Sequence, residues 1–116
     1  MGDINYHNRY FAPTVNSANG EVSVGTLFHY RQRGRVVWAT YEGGDVQFGT
    51  LVARVSSDGT LDMRYSHVNR EGELMTGHCR STPQVLADGR LRLHERWRWT
   101  SGDESEGESV VEETKR

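Results

Sequence analysis

The sequence predicts an all-β fold, a single-domain antiparallel up-and-down β-barrel of about eight strands spanning residues 1–116. Three observations predict it. Apolar residues recur at period two, no segment sustains the i, i+3, i+4, i+7 spacing of an amphipathic helix, and glycine-containing turn signals punctuate the chain at near-regular intervals. Thirteen glycines against two prolines suit tight turns between strands. Sequential hairpins of this number are most economically arranged as a closed barrel, which leaves no open edges. An open curved sheet or a dimeric sandwich is the alternative.

The elements follow in order. A first strand is expected near residues 8–14 and a second near 22–31. Gln32-Arg33-Gly34 reads as a three-residue loop closed by glycine in the left-handed region, where a side chain is strained. It places Tyr30 opposite Val36 and Phe28 opposite Trp38 in a third strand, 35–42. Gly43-Gly44 reads as a two-residue primed turn into strand 45–56 and pairs Trp38 with Gly49. The loop Ser57-Asp58-Gly59 sets Val55 against Leu61, Ala53 against Met63 and Leu51 against Tyr65, with the fifth strand at 60–69. Arg70-Glu71-Gly72 then pairs Tyr65 with Gly77, Met63 with Cys79 and Leu61 with Ser81 in strand 73–82. Independently, Ala87-Asp88-Gly89 pairs Trp99 with Gly77, Trp97 with Cys79 and Glu95 with Ser81 in strand 90–99. Both hairpins put Gly77, Cys79 and Ser81 on the inner face, and a slip of one residue in either would have destroyed the agreement. Thr100-Ser101-Gly102 leads to the last strand, 103–112, with Trp97 opposite Ser105 and Glu95 opposite Gly107. On the outer face that register brings Glu104, Glu106 and Glu108 to Arg98, Arg96 and His94.

The interior so derived is too polar for a plain core. Glu95 shares it with Trp97, Trp99 and Trp38, and an isolated carboxylate there must be paired, protonated or ligated. Two readings follow. In one, Tyr and Trp donors hold Glu95 in a closed network that fixes the register. In the other, Glu95 orients a small polar or cationic ligand between aromatic walls, the usual composition of a ligand pocket. The candidate ligand-binding residues are Glu95, Tyr30, Trp38, Tyr65, His67, Ser81, Trp97 and Trp99. An acid/base pair of His67 and Glu95 can be drawn, but no catalytic residue is identified. An enzyme, or an interaction module using an apolar outer face, are the rival functions. The registers send Leu27, Val37, Ala39, Tyr41, Val46, Phe48 and Val52 outwards, and a homodimer through Val37, Tyr41 and Phe48 is expected from that face.

A net charge of −2 argues against a nucleic-acid or membrane partner, since the acids of the last strand cover much of the arginine-rich surface. With no apolar run of signal or membrane-span length and a single cysteine, the expected location is cytoplasmic. Cys79 is expected beneath Trp97 as a small apolar residue. The histidines show no metal-ligand spacing and there is no nucleotide loop, so neither metal nor cofactor is expected.

The segments NGEVS, FHYRQRG, VVWATYEGG, LDMRYSHVNREGELMTGHCRSTPQVLADGRLRLHERWRWTSGD and SVVEE resemble a family of small bacterial proteins of about this length, over Asn5 to Glu113. Its members often bear the label N-acetylglutamate synthase, which implies acetyl transfer from acetyl-CoA to glutamate. The architecture is similar to that of the lipocalin and calycin group.

Overall fold

Among the described residues eight strands form, and they close on themselves. The computed structural model describes residues 4–23 and 25–114. The strands are β1 (Arg9–Asn16), β2 (Leu27–Arg33), β3 (Val36–Gly43), β4 (Val46–Val55), β5 (Leu61–Asn69), β6 (Leu74–Val85), β7 (Leu91–Trp99) and β8 (Glu106–Glu113). Each pairs antiparallel with the next, and β1 pairs with β8 to complete a closed barrel.

The three glycine-closed loops in the middle of the chain set their registers as expected. Gly59, Gly72 and Gly89 take positive φ of 88°, 80° and 88°. Val55 faces Leu61, Tyr65 faces Gly77, Cys79 faces Trp97 and Ser81 faces Glu95. From Gly49 on β4 to Trp99 on β7 the inner rows are therefore those read from the sequence.

β3 is reversed. Gly34 opens a two-residue turn instead of closing a three-residue one. Its φ is 59° while Arg35 stays at negative φ, the pattern of a II′ turn, and Arg33 pairs directly with Val36. At the other end the two-residue turn is Gly44-Asp45, with Gly43 opposite Val46 and a bulge between Tyr41 and Gly43. Each correction moves the register by an odd number of residues, so the two cancel for β2 and β4 and invert β3 alone. Val37, Ala39 and Tyr41 are consequently buried inside. Val37 and Tyr41 are thereby removed from the expected dimer face, while Phe48 is half-exposed on the outside. Trp38 leaves the lumen: it pairs with Arg31 and Val52 on the outer wall. A bulge in β4 also turns Val46 inwards and leaves Gln47 exposed.

The last hairpin is longer than expected. Glu104 joins Gly102 at positive φ, and Trp97 meets Gly107 while Glu95 meets Ser109, a shift of two that preserves the faces. The outer acid-to-arginine match survives it, with Arg98 opposite Glu106, Arg96 opposite Glu108 and Arg92 opposite Glu112.

Segments outside the sheet cover both ends of the barrel. At one end Tyr6, wholly buried, donates its hydroxyl to the Gly59 carbonyl at 2.6 Å and packs on Tyr30. At the other, the connection between β1 and β2 folds across the mouth, where the Trp99 indole Nε1 donates to the Asn19 carbonyl at 3.1 Å.

Candidate functional site: an acidic group in an aromatic lumen

Glycines make room for the rings of the site. A Cβ at residue 107 would run into the six-membered ring of Trp97, one at 77 into the Tyr65 ring and the Arg98 carbonyl, and one at 49 into the Tyr41 ring and His67 Cβ. Each of these large side chains lies over the bare backbone of its directly paired residue on the neighbouring strand, an approach only glycine permits. Between them remains a cavity of about 50 Å³, lined by Phe28, Tyr41, Met63, Tyr65, Trp97 and Trp99 among others. Trp99 is the hub, with its ring 5.5 Å from Trp97, 5.8 Å from Tyr65 and 5.7 Å from His67.

Glu95 lies part-buried in this wall. Its partners are two hydroxyls from the flanking strands: Ser81 Oγ donates to Oε2 at 2.8 Å and Ser109 Oγ donates to Oε1 at 3.0 Å. Register explains both, because Ser81 and Ser109 are the residues directly opposite Glu95 on β6 and β8. Burial pushes the Glu95 carboxyl above the usual carboxylate range, and the two hydroxyls hold it part of the way back. Arg9 does not reach this carboxylate; its guanidinium pairs with Glu113 at 2.6 Å. A carboxylate has about four lone-pair sites, so two hydroxyls leave acceptor capacity facing the cavity. Asn16 also lines this space, and its Oδ1, buried against the Gly20 backbone, meets no hydrogen-bond donor among the described residues.

A different polar cluster closes the mouth. The Tyr41 hydroxyl lies 2.9 Å from His67 Nδ1, and His67 Nε2 lies 2.7 Å from Glu21 Oε1. Burial raises the Tyr41 phenol well above its ordinary value, so it remains a donor. On a neutral imidazole it then donates to Nδ1, which assigns the ring proton to Nε2, facing Glu21. Asn69 Nδ2 donates to the other Glu21 oxygen at 3.0 Å. His67 is thus oriented towards Glu21 and is not paired with Glu95, so the acid/base pair drawn from the sequence does not form. Burial also keeps Cys79 a thiol, its pKa pushed well above the ordinary value, which suits a packed residue and not a nucleophile.

Of the eight candidate residues, six line the cavity: Glu95, Tyr30, Tyr65, His67, Trp97 and Trp99. Ser81 supports Glu95 from the wall, and Trp38 is outside. The sequence reading missed Tyr41, through the inversion of β3, and Glu21 and Asn16, on or beside a connection without periodicity. Among the described residues no group of three or more His, Cys, Asp and Glu side chains is placed to hold a metal ion.

A family model described as Avidin-like protein matches residues 4–114. No curated protein and no solved structure matches. The chain belongs to the avidin-like family, whose barrel is of the calycin type.

Proposed function

We propose that this avidin-like barrel binds a small molecule in its lumen, with a hydrogen-bond donor or cationic group of the ligand on Glu95. The family match supports the general reading of a small-molecule-binding barrel. The finer one rests on a single observation: a carboxylate held by two serine hydroxyls, its pKa raised by burial, on the wall of an aromatic cavity. A ligand N–H or ammonium there gains a charge-assisted hydrogen bond in a site of low dielectric. Trp97, Trp99 and Tyr65 supply the faces against which an apolar or planar body packs.

A thermal-shift screen of small amines, amidines, ureas and lactams tests the proposal, because a ligand that binds only the folded state raises its stability by mass action. The expected result is a compound whose shift is lost in Glu95→Gln and Trp97→Ala. Compounds that shift both variants as much as the parent would place binding elsewhere and end the reading.

Acetyl transfer gains no support from the family found. Incubation with acetyl-CoA and glutamate checks it directly, and release of CoA above a blank would reinstate it.

A further inference from the structure

Glu21 is the only carboxylate that a residue outside the sheet brings to the cavity wall among the described residues. It sits in the connection between β1 and β2, and both of its oxygens are taken by buried donors: His67 Nε2 at 2.7 Å and Asn69 Nδ2 at 3.0 Å. His67 and Asn69 are each 2 % exposed. Neither donor is oriented by the connection. Tyr41 on β3 fixes the His67 ring from behind. The Asn69 Oδ1 accepts the backbone N–H groups of Glu71 and Glu73 at 3.1 and 2.9 Å, which turns its amide nitrogen to the mouth. That nitrogen's other contact is Glu73 Oε1 at 2.9 Å. The barrel therefore prepares two donors for one carboxylate, and the connection delivers it.

The cavity's size gives this arrangement a consequence. About 50 Å³ is far below the roughly 300–1,000 Å³ of pockets that enclose a drug-sized ligand. A ligand of more than a few heavy atoms needs part of the wall to move. Ladder hydrogen bonds fix the sheet, whereas Gly20, Glu21 and Val22 are wall without being sheet. Withdrawing them uncovers the two donors and leaves them free to take another carboxylate.

We infer that His67 and Asn69 form a carboxylate-binding site at the barrel mouth, that Glu21 occupies it within the molecule, and that a ligand bearing a carboxylate takes its place when the connection opens. The last step rests on the lumen being a ligand site. The first two do not.

Chemical rescue tests the inference, with acetate as the probe. Glu21→Ala should lower the melting temperature, and sodium acetate should raise it again relative to sodium chloride at equal ionic strength. At acetate ten times its dissociation constant the ratio of folded to unfolded protein should rise about elevenfold. The parent protein should not respond, nor should Glu21→Ala combined with His67→Phe. A response to acetate no larger than to chloride, or an equal response in the parent, would overturn the site. If Glu21→Ala does not fold, Glu21→Gln is used, and the His67 ring nitrogens should shift saturably with acetate by NMR; flat shifts would be equally damaging. Repeating the titration in a Glu95→Gln background separates the two readings, since the rescue should persist there even if every lumen ligand fails.

Discussion

Replacing Gly107 by alanine tests the packing on which the site depends. Residue 107 faces Trp97 across β7 and β8, and a methyl group there would overlap the six-membered ring of the indole. Gly107 has no positive φ, so alanine meets no backbone penalty. Inserting a methyl into a packed core costs about 1–3 kcal/mol. Loss of glycine's freedom in the unfolded chain returns about 0.4–1 kcal/mol. The net cost is about 1.5 kcal/mol. With an unfolding entropy near 2.1 cal/mol/K per residue, the 116-residue chain should melt roughly 6 °C lower. The ring can relieve the overlap only by moving into the cavity, so the same substitution should weaken any lumen ligand. Urea titrations followed by tryptophan fluorescence and near-ultraviolet circular dichroism read both effects. Combining Gly107→Ala with Trp97→Phe should recover part of the stability, because the smaller ring no longer reaches residue 107. Unchanged stability and an unchanged near-ultraviolet spectrum in Gly107→Ala would mean that Trp97 does not lie against this backbone.

Ser81→Ala removes a buried donor from Glu95 and should cost about 1–3 kcal/mol, the cost of leaving a buried polar group without its partner; urea unfolding measures it. The raised pKa of Glu95 means that the folded state holds this proton to higher pH than the unfolded chain does. Its contribution is therefore fully present below the ordinary carboxylate pKa and is lost as pH rises through the raised folded value. Subtracting the stability curve of Glu95→Gln from that of the parent should reveal this decline, and a flat difference would contradict it. Trp38→Ala should leave lumen binding intact while Trp97→Ala abolishes it, which calorimetry with any hit from the screen decides.

Legibility in the sequence followed turn chemistry. Asp58-Gly59, Glu71-Gly72 and Asp88-Gly89 each place glycine at the end of its loop, where one backbone solution is favoured, and the rows from Leu51 to Trp99 came out correctly. At Gly34 and at Gly43-Gly44 the same residue fits more than one turn, and periodicity could not arbitrate, because Val36-Val37-Trp38-Ala39 is apolar on both faces. Glu95 was placed inside by parity alone, and its second partner, Ser109, was on the inner row although two positions from its assigned register. Glu21 and Asn16 carried no such signal. Their positions depend on how a connection of irregular backbone crosses the mouth, which neither period nor turn type encodes.

Seven of the eight ladders join neighbours in the chain, whereas the β1–β8 seam joins residues as far apart as Arg9 and Glu113, 104 positions distant. Loop-closure entropy delays such a pairing until the local hairpins exist. Until that seam pairs, the strands enclose no lumen. If the lumen takes a guest as proposed, one present during refolding should enter by the seam, whereas one offered to the finished protein must pass the mouth, and comparing the two binding rates tests this.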